Sequence, residues 1–293
     1  MAFDDLDLPS GQARDVVGGS CTYAGLAASH FAPVRAVAVV GEDFPQATLD
    51  DLGKRGVDCA GIERAKGKTF RWWGRYAQDL VSRTTLDTQL NVFADFKPKL
   101  PASYAESPYV LLGNIHPALQ LEVLAQIKKP RLVAADTMNF WISGERKLLG
   151  QVLEKIDLLV VNDEELRQLA ELHNLKRAAR AVLKLGPKRL IVKRGEFGAL
   201  LFEGDDTFFV PAYPLEDEVD PTGAGDSFAG ALLGYLAQKD AVDRTTLRQA
   251  LHTGATVASF CVEAVGTGRL TTLEPAAIRA RMAELRSLVH PGD

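Results

Sequence analysis

The stretch EVDPTGAGDSFAGALLGYLA, Glu218 to Ala237, decides how this chain is read. Its first half sets Asp, Pro, Thr and two glycines ahead of an acid, and its second half has the small and apolar pattern of a helix. Glycines at such a turn let the backbone approach a ligand closely. The amides of Gly223, Ala224 and Gly225 can then point out of the helix N-terminus, where negative charge is favoured. Asp226, in the first turn, is explained on its own by the helix dipole, which favours acids there. Beside a phosphate-sized hole its meaning changes, because a carboxylate repels a resting phosphate. It is placed instead to take the proton from a hydroxyl that attacks a phosphoryl group held in the hole. The pairing suggests phosphoryl transfer to an alcohol.

Upstream of this turn the chain alternates strand and helix. YVLLGNIHP, RLVAADTMNF, LLVVNDEEL and KRLIVKRGEFGALLF each place an apolar strand before Gly, Asp or Asn, and LQLEVLAQIKK, EELRQLAELHN and LKRAARAVLKLG supply helices between them. This order argues for an α/β fold with a mostly parallel central sheet covered on both faces, and with ligands at the carboxyl ends of its strands. Asn114, Asp136, Asn162 and Arg194 fall at those ends. Nearer the start, Gly18 to Phe31 reads as a helix and Pro33 to Phe44 as a buried strand. From about 57 to 93 the texture turns aromatic and β-branched with frequent turn signals, which predicts a small antiparallel sheet inserted into the α/β chain.

Composition narrows the function classes. The formal net charge of −4 gives no support to a nucleic-acid or membrane-surface role. Three scattered cysteines are too few for a disulfide framework and lack Cys-x-x-Cys spacing, which predicts a reducing, cytoplasmic compartment. No apolar run approaches the roughly 20 residues of a membrane span, and the acidic start MAFDDLDLPSG is unlike a signal peptide. Two other motifs fail. GIERAKGKT puts five residues between Gly61 and Gly67 where a P-loop has four, and a strand-like segment follows it. GAGDSFAG misses the dinucleotide fingerprint because Gly230 comes too late, so a dinucleotide oxidoreductase is remote.

DPTGAGDSFAG resembles the C-terminal signature of the PfkB, or ribokinase-like, family of carbohydrate and nucleoside kinases. Gly18-Gly19 with GLAASHF and VVGEDF resembles the N-terminal one, and NDEE, VKRGEFGA and HTGATVASFCVEAVG follow in family order. The resemblance covers nearly the whole chain. It implies a ribokinase-like three-layer sandwich with a small β-sheet lid, and an enzyme that uses ATP and Mg2+ to phosphorylate a hydroxymethyl group of a sugar or nucleoside. By this resemblance Asp226 is the catalytic base and Gly223, Ala224 and Gly225 stabilise the transferring phosphoryl. Asn162 and Glu165 match the family's Asn-x-x-Glu, which organises Mg2+ near the ATP phosphates; the same pair also reads as a helix start, Asn162 capping and Glu165 at N3. Lys193, Arg194, Gly195 and Gly198 match the strand-to-turn along the nucleotide, with Arg194 departing from a commoner uncharged residue. Ala255, Thr256 and Ser259 fall where the last helix borders adenine, although small helical residues also mean close packing. Asp220 and Thr222 match a loop that binds a monovalent cation, K+, in several members.

On the acceptor side, Asp4 fits the acid that holds sugar hydroxyls shortly after the family's first strand, and Gly18 and Gly19 match the Gly-Gly where backbone approaches the sugar. Tyr23 stands where ribokinases have Asn, which argues against assuming ribose. Asn114 and His116 at a strand end are further acceptor candidates. Phe70, Trp72 and Tyr76 in the lid either face a ligand or pack the lid on the body. Family members begin with a hydrophobic strand ahead of the acceptor Asp, and this chain starts after its place, so either a start further upstream or a destabilised protein is expected. Lid-mediated homodimers occur in parts of the family. A nucleoside kinase and a non-catalytic metabolite binder are the alternatives to a sugar kinase.

Overall fold

The computed structural model describes residues 1–290. A hairpin of β1 (Ala2–Leu8) and β2 (Gly11–Gly18) opens the chain, followed by α1 (Ser20–Ser29), β3 (Val34–Val40), α2 (Gln46–Lys54), β4 (Val57–Arg64), β5 (Arg71–Tyr76) and β6 (Arg83–Gln89). The alternation continues through β7 (Tyr109–Leu112), α3 (Pro117–Gln126), β8 (Leu132–Asp136), α4 (Asn139–Gly144), α5 (Arg146–Leu153), β9 (Leu158–Asn162), α6 (Asp163–Ala170), α7 (Leu175–Leu183) and β10 (Arg189–Lys193). A second hairpin, β11 (Ala199–Glu203) and β12 (Asp206–Val210), precedes the helices α8 (Ala224–Lys239), α9 (Arg244–Cys261), α10 (Gly268–Thr271) and α11 (Pro275–Ser287).

The main sheet has the order β12-β11-β10-β9-β8-β7, parallel from β7 to β10 and antiparallel across β10, β11 and β12. Side chains alternate between its faces. Leu159 and Val161 pack with Leu149, Leu166 and Val182 on one side, while Leu158 and Val160 pack with Phe228, Leu232 and Leu251 on the other. Burial on both faces is why the strands read as unbroken apolar runs. Fully burying one such side chain contributes about 1.5–3 kcal/mol. Against α8 lies α1, and the small residues of both let their backbones close up; Gly230 rests directly on the backbone of Ala24.

The small sheet has the order β2-β1-β5-β6. Its membership differs from the 57–93 segment expected. β4 pairs in parallel with β3 from Val34↔Val57 to Val40↔Arg64, as the second strand of a unit connected through α2. The hairpin at 2–18 takes its place, with β1 parallel to β5 and antiparallel to β2. The reason lies in the alternation of AFDDLDL. Leu6 and Leu8 turn inward and are buried with Tyr76. Asp5 and Asp7 turn outward to arginines, Asp5 to Arg71 at 2.6 Å and Asp7 to Arg14 at 2.6 Å and Arg75 at 3.1 Å. Asp4, expected just past a strand, lies within β1 on the inward face. Among the described residues no helix is long and apolar enough to cross a membrane.

Candidate active site

The turn before α8 is held from below. Asp220 is fully buried, and its two carboxylate oxygens accept the amides of Thr222 (2.9 Å) and Gly266 (2.8 Å). Gly223, the N-cap of α8, has φ 78°, and a Cβ there would fall 2.3 Å from the ring of Tyr23. Only glycine meets both conditions. The amide of Ala224 donates to Pro221 O at 3.2 Å, so this member of the expected trio is already engaged. No side chain caps α8, which leaves its following first-turn amides available to an anion.

Half-buried Asp226 sits in that first turn. Burial, and then the nearby Asp136, push its carboxyl up to about 6 against the pull of Lys193 and of a hydrogen bond from Ser20. Lys193 ends β10, and its ammonium donates to Asp136 Oδ2 at 3.1 Å. A Cβ on Gly225 would lie 2.8 Å from the same nitrogen, so the cation stands against the turn. Burial alone would lower this ammonium; Asp136, Glu165 and Asp226 outweigh it and raise its pKa. Lys193 therefore stays charged while balancing several acids.

Asn162 and Glu165 form a reciprocal capping box at the start of α6: Asn162 Oδ1 accepts the Glu165 amide at 2.7 Å, and Glu165 Oε2 accepts the Asn162 amide at 2.8 Å. The helix-start reading is realised in full. It also leaves a carboxylate 4% exposed near the cleft, raised to about 7 by burial and then by Asp136. Among the described residues no group of three or more His, Cys, Asp or Glu could hold a metal ion unaided. A divalent ion of the Mg2+ type, which binds through one or two carboxylates together with substrate phosphates and waters, suits such a sparse oxygen set.

Across the turn from Lys193, Asp4 is 4% exposed, and its carboxyl rises to about 7 through burial, then through Asp220 and Asp226. Its Oδ2 lies so near Gly18 that a Cβ there would come within 1.9 Å, and the Gly19 amide bonds to the same carboxylate. Tyr23 is 1% exposed, with its ring beneath Gly223 and its hydroxyl without a partner among the described residues. It is therefore a wall of the site rather than an open contact.

The remaining expected residues are distributed over α9, the turn after β10 and the end of β7. Ala255 and Thr256 are buried in α9, and the Thr256 hydroxyl turns back on His252 O at 2.8 Å. Ser259 Oγ bonds Thr256 O at 2.7 Å and accepts from Arg281 at 3.1 Å. Their surroundings are those of helix packing. Arg194 stacks its guanidinium 5.6 Å from the Phe197 ring centre, and its buried Nε has no partner among the described residues. Gly195 and Gly198 carry the positive φ values of the turn into β11. Asn114 Oδ1 accepts from Trp141 Nε1 at 3.0 Å, and His116 Nδ1 caps α3 through the Ala118 amide. Phe70 packs on Phe93, and Trp72 on Tyr76. Of the expected lid aromatics Tyr76 reaches the cluster, and Ser20 and Arg83 are additional neighbours. Ser20 bonds Asp226, the Tyr76 hydroxyl accepts from Thr222 Oγ1 at 3.0 Å, and Arg83 exerts its charge on both Asp226 and Glu165. Of Ser20 and Arg83, which the sequence reading did not single out, only Ser20, which follows Gly18-Gly19 at a helix start, carries a local signal.

The model of the pfkB family carbohydrate kinases matches residues 4–273. A cytidine kinase of Thermococcus kodakarensis is 30% identical over 244 residues, which cover 80% of this chain and 86% of that protein. Among solved structures, aminoimidazole riboside kinase from Salmonella enterica, complexed with aminoimidazole riboside and an ATP analog, superposes with a TM-score of 0.76 at 20% identity, covering 96% of this chain and 97% of that one. Fructokinase from Vibrio cholerae O395, in a form binding fructose, ADP and calcium ion, gives a TM-score of 0.74 at 19% identity over 96% of this chain and 97% of its own. These likenesses show a shared ribokinase-like α/β fold.

Proposed function

The chain belongs to the pfkB family of carbohydrate kinases, and we propose that it transfers the γ-phosphoryl group of ATP to the hydroxymethyl group of a sugar or a nucleoside. The observation that carries this reading is the placement of Asp226, a carboxylate raised to about 6, in the first turn of an uncapped helix with Lys193 against the same turn. The similarity to a cytidine kinase brings nucleosides into the acceptor class beside free sugars.

Asp4, with the Gly18-Gly19 backbone, holds the acceptor hydroxyls. Asp226 takes the proton of the reacting hydroxyl; a base with a pKa near 6 is ionised at neutral pH and still basic enough to help. The acceptor oxygen forms its bond to the γ-phosphorus as the bond from that phosphorus to the ADP oxygen breaks. The amides of Gly223 and Gly225 and the Lys193 ammonium stabilise the charge on the moving group. Asn162 and Glu165 would hold Mg2+, which would supply neutralising charge to the phosphate oxygens of ATP. Buried Asp220 has no cationic partner among the described residues, which suits K+ beside it and Thr222. The small sheet closes over the acceptor as a lid and excludes water.

The test is ADP release from ATP and Mg2+ against a panel of hexoses, pentoses, their phosphates and nucleosides. Release that depends on the added acceptor is expected. ATP turnover indifferent to every acceptor contradicts the reading.

A further inference from the structure

Beyond the strand ends of β7 and β8 the structure holds an aromatic corner that the transfer chemistry does not use. Phe140 is 64% exposed, although its neighbours Asn139 and Trp141 are half-buried. Its ring meets that of Trp141 at 4.8 Å, and Trp141 meets His116 at 5.0 Å, both edge to face. The corner is fixed from behind. Trp141 Nε1 donates to Asn114, His116 caps α3, and Asn139 Nδ2 donates to Gln168 at 2.8 Å. An exposed aromatic ring on a rigid backing presents a flat apolar face to whatever approaches, with little ordering left to be done on binding.

Its place in the fold decides what approaches. In the sheet order β7 and β8 lie on the flank away from the β10 end that carries Lys193 and the turn at 195–198. Asn114 directly follows Gly113, where a Cβ would come 3.3 Å from Ser20 Cβ, and Ser20 bonds Asp226. Gln120 Nε2 donates to both Gly113 O (2.9 Å) and Asp136 O (3.0 Å), so the two strand ends are fastened together. The corner therefore belongs to the acceptor flank. At the same strand end the Thr137 hydroxyl, 3% exposed, has no partner among the described residues.

We propose that this corner is the seat of a nucleobase, with the exposed Phe140 ring supplying the stacking surface and Trp141 backing it edge to face, and that the acceptor is a nucleoside rather than a free sugar. The inference rests on the kinase reading above and narrows it. A free sugar has no planar π face to set on Phe140, whereas each of the nucleobases does, and stacking of a base on an aromatic side chain changes affinity by roughly five- to hundredfold when the side chain is truncated.

Two measurements test it together. In the first, ADP release is followed with cytidine, uridine, adenosine, ribose and fructose for the native protein and for Phe140→Ala, an exposed position whose loss leaves the core intact. The nucleosides are expected to exceed the free sugars at least tenfold in kcat/KM, and Phe140→Ala to raise the nucleoside KM about tenfold while the KM for ATP stays put. In the second, tryptophan fluorescence is titrated with cytidine without ATP; quenching is expected, and a weaker midpoint in Phe140→Ala. Free sugars turned over as well as nucleosides, or a nucleoside KM indifferent to Phe140→Ala, overturns the proposal and leaves the kinase reading standing. Cytidine binding weakened by Phe140→Ala with no turnover of any acceptor upholds the nucleoside seat and overturns the kinase reading. Loss of both binding and turnover overturns both.

Discussion

Tyr76, the last residue of β5, and Thr222, in the turn before α8, are joined by a 3.0 Å hydrogen bond in which Thr222 Oγ1 donates to the tyrosine hydroxyl. The bond spans 146 residues and ties the small sheet to the loop that carries Gly223 and Asp226. Tyr76 is 7% exposed and sits among Leu6 and Leu8, so its ring is anchored in the small sheet's own core. Movement of the sheet is thereby felt at the turn. Tyr76→Phe keeps the packing and removes the acceptor of the Thr222 hydroxyl, at a cost of about 1 kcal/mol. The expected result is faster amide exchange in β5 and β6 together with a lower kcat, and unchanged exchange in both strands would show that the bond holds nothing.

Asp226 and Asp4 must both be ionised to act, one as base and one as acceptor of hydrogen bonds from sugar hydroxyls. Their carboxyls are raised to about 6 and about 7. Activity should therefore fall as pH drops through 7 and 6, with kcat/KM for the acceptor falling more steeply than a single group allows. Asp4→Asn should remove the upper of the two transitions from the profile of whatever activity remains. A profile flat from pH 5 to 8 would contradict both assignments.

The same burial makes the free protein's stability depend on pH. The folded pKa of Asp4 stands above its unfolded value, so its contribution is fully present below about pH 4 and is lost as pH rises through about 7. At 1.36 kcal/mol per unit the loss is on the order of 4 kcal/mol for Asp4 alone. Glu165, also raised to about 7, adds in the same direction. Thermal unfolding of the ligand-free protein should thus show a higher Tm at pH 5.5 than at pH 8. Asp4→Asn should raise the Tm at pH 8 and flatten the dependence.

The strands and helices of the main sheet were legible because Leu158 to Val161 and their counterparts are buried on both faces, which leaves an apolar run that no other element explains. PTGAGD was legible because glycine has few other reasons to be there. The small sheet was legible only in β5 and β6, because its ladder joins β1 to β5 across 68 residues, and the acids of AFDDLDL look solvated until Arg71 and Arg75 stand opposite. Tyr23 could be singled out by its type but not by its burial, which arises only when Gly223 folds down on its ring. Ala255, Thr256 and Ser259 illustrate the converse: small residues on α9 are compatible with ligand contact and with packing, and the hydrogen bonds of Thr256 and Ser259 are those of packing. Arg83 had no signal of spacing, since its neighbours are set by the sheet order alone.

Gly223→Ala tests the turn itself. The new methyl would meet the Tyr23 ring at 2.3 Å while the backbone is held at φ 78°, and Tyr23 is buried at 1% exposure. The left-handed conformation alone costs about 1–2 kcal/mol with a side chain. A shift of the turn by about 1 Å is enough to lower turnover by about a hundredfold. The variant should lose kcat far more than stability, and Gly223→Ala with Tyr23→Leu should recover part of it. Full activity in the single variant would mean that the turn is not held by Tyr23.

The central claim is that Asp226 removes the acceptor's proton beside a phosphoryl group held by the α8 turn and Lys193. Asp226→Asn keeps the shape of the side chain and takes away the base. The most direct measurement is single-turnover phosphorylation of the preferred acceptor by this variant, with ATP binding measured in parallel. The account predicts a rate lower by roughly a hundred- to ten-thousandfold, the range for loss of a general base, with ATP affinity within a few-fold of the native protein. A variant that transfers phosphate at close to the native rate would contradict it.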